Sequence, residues 1–226
     1  MSSVHHQKPQ AAAAWDPTAH YLDQAVAEDY DRERFSSRAA DIYLALERHY
    51  LRKAFAGLKP GTLILDAPCG TGRLAKVLLD AGYEVVGADI SPAMLKVAQR
   101  RLASYGGKFT TVVCDARELA TLGRRFEAAL CARVLMHFPL EDQIKFLGGV
   151  AAVTDGRVVF TQCFDSAYQR FRRSLKRLMR HQEPANYPIS REELAQLLYG
   201  AGLRPSGRYH LFPPVSEAMV VVAAKA

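Results

Sequence analysis

Three acids in this chain each close an apolar run. The first ends Leu63-Ile64-Leu65-Asp66 and leads into Ala67-Pro68-Cys69-Gly70-Thr71-Gly72. The second ends Tyr83-Glu84-Val85-Val86-Gly87-Ala88-Asp89, and the third ends Thr111-Val112-Val113-Cys114-Asp115. An apolar run, an acid, two glycines and the opening of a helix make the layout of a strand-loop-helix nucleotide site. Glycine lets the backbone approach a ligand where a Cβ would clash. The dinucleotide fingerprint is incomplete, because Ala75 stands where its third glycine would fall, and no Gly-Lys-Ser/Thr follows to make a phosphate loop. An acid at the first strand tip suits a cationic ligand better than a pyrophosphate. An acid in the place of Asp89 can accept from both hydroxyls of a ribose. Any one of these acids could equally cap a turn or a helix. Three of them in register with one glycine loop form a constellation.

The elements that must position them follow from periodicity. Strands are expected at 62–67, 83–89, 109–114, 127–132 and 157–163, and helices at 72–81, 91–104, 141–151 and 190–201. Ser91-Pro92 is a capping serine followed by proline at the first helical position. Ser190-Arg191-Glu192-Glu193 is a capping box. The segments 204–212 and 217–224 read as a closing strand pair with Pro213-Pro214 in the bend. Alternating strands and helices make an α/β fold, a mostly parallel sheet with helices on both faces. Residues 1–18 read as a disordered tail and 19–226 as one domain, with a helical cap over 19–57 and an irregular insertion over 165–188.

On these motifs the chain resembles the class I S-adenosylmethionine (SAM)-dependent methyltransferases, over about residues 20–226. The resemblance rests on Asp66-Ala67-Pro68-Cys69-Gly70-Thr71-Gly72, on Asp89, on Asp115-Ala116, and on the run Phe126 to Phe138 that contains Val134-Leu135-Met136-His137. It implies a Rossmann-like seven-stranded sheet, mostly parallel with an antiparallel last strand, and SAM as cofactor. It also implies roles. Ala67, Pro68, Gly70 and Gly72 wrap the ligand, and Asp66 holds its amino group. Asp89 holds the ribose, and Ile90 and Met94 sandwich the adenine. Asp115 accepts from the adenine amino group beside the Ala116 backbone. Cys131, or the backbone of Ala132, touches the methionine end. Tyr30 and Arg34, in Asp29-Tyr30-Asp31-Arg32-Glu33-Arg34, match the N-terminal cap that closes over the cofactor carboxylate in many small-molecule members. A charged, solvated helix face is the competing reading of that pair.

Methyl transfer from a sulfonium needs an acceptor held close and in line. An O or N nucleophile can also need a base, and His137 is the candidate, with Tyr209 and His210 behind it. Against it stands a structural histidine in the 135–139 turn. Arg133 sits where relatives carry uncharged polar residues. It must contact a carboxylate or phosphate, or turn out to solvent, because a bare cation beside a sulfonium is unfavourable.

The stretch 168–180 alternates an apolar stripe with Arg170, Arg172, Arg173, Lys176, Arg177 and Arg180, the pattern of a basic amphipathic helix. It reads as a lid with a solvated face, as a contact for a small anionic acceptor, or as a peripheral contact with an anionic membrane carrying a lipid-linked acceptor. The rival class is a nucleic-acid or protein methyltransferase docking its polymer on the same helix. Against nucleic acid, there is no base-stacking cluster and no Asn/Asp-Pro-Pro-Tyr/Phe motif in the run after the fourth strand.

Composition sets the outer limits. The 226 residues are 49% hydrophobic and 23% charged, ordinary for one globular domain, with a formal net charge of +7. No apolar run approaches the roughly 20 residues of a bilayer span, and the N-terminus shows no apolar signal core, so a cytoplasmic location is the expectation. Cys69, Cys114, Cys131 and Cys163 lack Cys-x-x-Cys spacing, which argues against structural zinc. They read as small buried residues, with a thiol-dependent metalloid acceptor as the sharper alternative.

Overall fold

The computed structural model describes residues 38–165, 170, 187–211 and 217–226. Helix α1 (Arg38–Phe55) leads into β1 (Leu63–Asp66), α2 (Ala75–Asp80), β2 (Glu84–Asp89), α3 (Pro92–Arg101), β3 (Phe109–Val113) and β4 (Phe126–Cys131). Helix α4 (Leu140–Ala152), β5 (Thr154–Cys163), α5 (Arg191–Gly200), β6 (Leu203–His210) and β7 (Ala218–Lys225) complete the order. The sheet runs β3-β2-β1-β4-β5-β7-β6. All its pairings are parallel except those of β7 with β5 and β6. This is the seven-stranded α/β architecture that the family resemblance implies.

Alternation along the strands builds two cores. Leu65, Ala129, Cys131 and Val221 face α4 and α5, with Phe146, Leu147 and Leu197 against them. Ile64, Ala128, Leu130 and Val220 face α1, α2 and α3, with Leu51, Phe55, Leu78 and Ala98. A strand buried on both faces reads as a continuous apolar run, which is what made β1, β2 and β4 recognisable. The chain leaves β1 toward β2 and β3, then returns to β4 on the other side of β1. That reversal opens a crevice at the carboxyl ends of β1 and β4, where ligands bind in open α/β sheets.

Several expected boundaries shift, and for two of them the structure shows the reason. The helix expected over 72–81 is only Ala75–Asp80, because Gly72 has φ +74 and the chain must turn before it can wind. Strand β5 starts at Thr154 rather than 157. It takes in Asp155-Gly156 across a bulge opposite Phe126 and Ala128, and a Cβ on Gly156 would lie 2.5 Å from the Glu127 carbonyl oxygen. The capping predictions are met. Ser91 Oγ accepts from Met94 N at 3.3 Å, and Ser190 and Glu193 form the reciprocal box. Residues 1–37, with the cap pair Tyr30 and Arg34, lie outside the described residues, as do all of 168–180 except Arg170 and the Pro213-Pro214 bend.

Candidate active site

A cleft of about 1050 Å³, counted out to its open mouth, lies at the carboxyl ends of β1, β2, β3 and β4. All three strand-end acids line it, together with Pro68, Gly70, Ile90, Met94, Ala116 and His137. Sequence reasoning placed each of these there. It also placed Ala67, Gly72 and Cys131 there, and the structure puts them elsewhere. Ala67 and Cys131 are fully buried in the core facing α4 and α5. Ala132, the second of the two choices at the tip of β4, lines the cleft. Gly72 is pressed against α3. A Cβ there would lie 2.9 Å from Leu102 Cδ1 and 3.0 Å from Ala98 Cβ. Gly70, with φ +51 and open space where its Cβ would stand, is the glycine that faces ligand space.

Asp89 organises the loop. Its Oδ2 accepts from Gly70 N at 2.8 Å and its Oδ1 from Ser91 N at 2.9 Å. The acid therefore ties the glycine loop to the start of α3. Capping and ligand binding are not exclusive here, since a carboxylate offers about four lone-pair sites. Burial raises the Asp89 carboxyl above the usual carboxylate range, against the pull of the Ser91, Gly70 and Ile90 amides. The far side of the loop is held by Arg101, whose Nη1 donates to Thr71 O at 2.9 Å and Thr71 Oγ1 at 2.8 Å.

Asp66 is only 1% exposed, and its Oδ2 has no hydrogen-bond partner among the described residues. Burial, and then the nearby Asp89 charge, pushes its carboxyl well above the ordinary range. Leaving a buried acceptor without a donor costs about 1–3 kcal/mol, so such a group marks a place that awaits one. Asp115 differs. Arg117 Nε donates to both its oxygens at 3.0 and 3.1 Å, and the Arg117 guanidinium holds the carboxyl below its usual range. Arg117 lines the cleft as well. Sequence reasoning missed it, and an arginine two residues past a strand-end acid was the available signal.

His137 sits in the short 3-10 turn Leu135–His137, 8% exposed and lining the cleft. The weaker candidates do not reach it. Tyr209 stacks on Tyr50 at 5.3 Å under Lys53, and His210 lies against Phe164. Arg133 resolves the question its position raised. It contacts a carboxylate: Nε donates to Glu47 Oε1 at 2.8 Å and Nη2 to Oε2 at 2.5 Å. Among the described residues no cluster of His, Cys, Asp and Glu could hold a metal, and burial raises the thiol pKa of Cys69 and Cys131.

A family profile described as a methyltransferase domain matches residues 64–156, the stretch that carries all three strand-end acids and His137. Residues 64–156 are a methyltransferase domain, set in the fold of the class I SAM-dependent methyltransferases. It is 35% identical over 108 residues to a magnesium-protoporphyrin O-methyltransferase of Synechocystis, covering 46% of each chain. It is 29% identical to a ubiquinone biosynthesis O-methyltransferase of Bordetella avium, covering 67% of this chain and 66% of the relative. The chain thus spans about half to two thirds of the length of these curated relatives. The solved structure of the Synechocystis magnesium protoporphyrin IX methyltransferase with bound SAH, S-adenosylhomocysteine, superposes with a TM-score of 0.72 at 19% identity. That superposition covers 92% of this chain and 97% of that one. At that identity the structural likeness speaks for the fold.

Proposed function

We propose that this chain binds SAM in the cleft and transfers its methyl group to an O or N nucleophile of a small-molecule acceptor. The observation that carries this reading is Asp66, a buried acid with an oxygen unsatisfied among the described residues, beside the Asp89-tethered glycine loop. The residues fit the cofactor. A buried acceptor suits its ammonium, a strand-end acid suits its ribose, and Ile90 with Met94 offers apolar walls for adenine. Bound SAM supplies an electrophilic methyl on a sulfonium. Asp115 and the Ala116 backbone take the adenine edge, and Ala132 borders the methionine end. Tyr30 and Arg34 close over the carboxylate.

Relatives named as O-methyltransferases support oxygen as the acceptor atom, beside others named as C-methyltransferases. His137, which lines the cleft, then accepts the hydroxyl proton as the acceptor attacks. His137→Gln should lower turnover by about 10²–10⁴-fold, the usual span for a lost general base, while SAH affinity stays within twofold. Normal turnover in that variant would reduce His137 to a structural part of its turn. The acceptor is small, and anionic or lipid-linked, with the segment 168–180 as its contact.

The test uses methyl-labelled SAM and a fractionated extract, with a metalloporphyrin and a polyprenylated phenol as defined trial acceptors. Label in the small-molecule or lipid fraction supports the reading. Label in nucleic acid or protein replaces it with polymer methylation.

A further inference from the structure

The tip of β4 carries a residue that its environment holds in place at three points. Arg133 has φ +62, and it is the sole non-glycine with positive φ among the described residues. A long side chain rarely adopts that backbone, and such residues persist only where their surroundings over-determine them. Here Arg133 N donates to Thr161 Oγ1 at 2.7 Å, its guanidinium forks onto Glu47, and its charge lies 5.2 Å from the centre of the Tyr43 ring. Glu47 is 0% exposed.

The pair is not what docks α1. Leu51, Ala54 and Phe55 already bury that helix against the sheet, and Arg157 Nη1 holds its last turn through the Ala54 and Ala56 carbonyls. A buried ion pair is weak evidence for stability, and an apolar pair of similar volume often does as well or better. What the pair does uniquely is geometric. It joins α1 to the Ala132-Arg133-Val134 turn, and all three residues of that turn line the cleft.

We propose that Arg133 is a positioning residue, and that its fork with Glu47 holds the turn at the tip of β4 in the shape that receives the methionine end of the cofactor. The acid and the arginine then belong to the binding site, although the acid sits on a helix outside the matched domain. The inference rests on the cofactor reading above, and SAH is a probe that needs no acceptor.

Three variants are compared with wild type by calorimetric titration with SAH and by thermal melting. Glu47→Leu/Arg133→Met strands no charge and should melt at or above wild type, yet bind SAH at least tenfold more weakly. Glu47→Leu/Arg133→Gly, in which glycine adopts the left-handed turn without strain, should recover most of that loss. Arg133→Lys keeps the charge without the fork and should fall between wild type and the first variant. If the Leu/Met double variant binds SAH within twofold of wild type, the pair is only a structural element and the inference is overturned. Should that variant not fold, Arg133→Lys decides by the same twofold criterion. Wild-type protein that binds no SAH overturns the cofactor reading, and this inference with it.

Discussion

At the scale of single residues, the site depends on two acids that the fold makes uncomfortable. Asp66 and Asp89 are both buried, and each has its carboxyl raised above the ordinary value. For Asp66 the sign follows directly. A carboxyl whose folded pKa lies above its unfolded one binds more protons when folded, so stability is full at low pH and is lost as pH rises toward the folded value. At neutral pH the ligand-free protein carries that cost. Asp66→Asn should therefore raise its melting temperature by about 2–4 °C, the response to roughly 1 kcal/mol in a domain of this size. The same variant should bind SAH about tenfold more weakly, for want of a carboxylate facing the ammonium. Wild-type affinity should climb with pH across the Asp66 titration, because an adjacent ammonium favours the ionised acid. Asp66→Asn should flatten that climb. Titrations across pH 5–9 read both effects, and an unchanged slope in the variant would remove Asp66 from the site.

At the scale of elements, the strands and caps were legible because their signals are local. Apolar runs ending in acids, Ser91-Pro92 and the Ser190 box each carry their meaning within a few residues. Contacts between elements are not written that way. Nothing in the sequence showed that Gly72 exists to meet α3, or that Glu47 on α1 would neutralise Arg133. The pair Gly148-Gly149 in α4 reads as two helix-weakening residues of equal rank, yet the structure separates them. A Cβ on Gly149 would lie 2.3 Å from the Ala116 carbonyl oxygen and 3.1 Å from Arg117 Cα, while one on Gly148 meets only Ala201 Cα at 4.0 Å. Gly149 therefore lets α4 press on the loop that carries Asp115. Gly149→Ala should cost about 1–3 kcal/mol in urea unfolding and weaken SAH binding, because backbone must move. Gly148→Ala should be neutral, or stabilising by up to about 1 kcal/mol, with SAH affinity unchanged. Equal behaviour of the two variants would mean that α4 does not set the adenine end.

At the scale of the whole molecule, charge is distributed unevenly along the chain. The segment 168–180 holds six cations and no acid, against a net charge of +7 for all 226 residues. At the described edge of the insertion, Arg170 Nη1 pairs with Asp165 at 2.6 Å, just beyond the end of β5. Among the described residues no helix is long and apolar enough to cross a bilayer. Juxtamembrane Lys and Arg contribute about 1 kcal/mol each toward an anionic leaflet, and the attraction fades beyond a Debye length of about 10 Å at 0.1 M salt. Wild-type protein should sediment with vesicles rich in anionic lipid at low ionic strength and be released by about 0.5 M salt. Replacing Arg172, Arg173, Lys176 and Arg177 with Gln should abolish sedimentation while leaving SAH affinity unchanged. Sedimentation with neutral vesicles as well would point to the apolar stripe instead of the charge. No sedimentation at low salt would reject the membrane and leave the cations to a free anionic acceptor, whose affinity should then fall in the same variant.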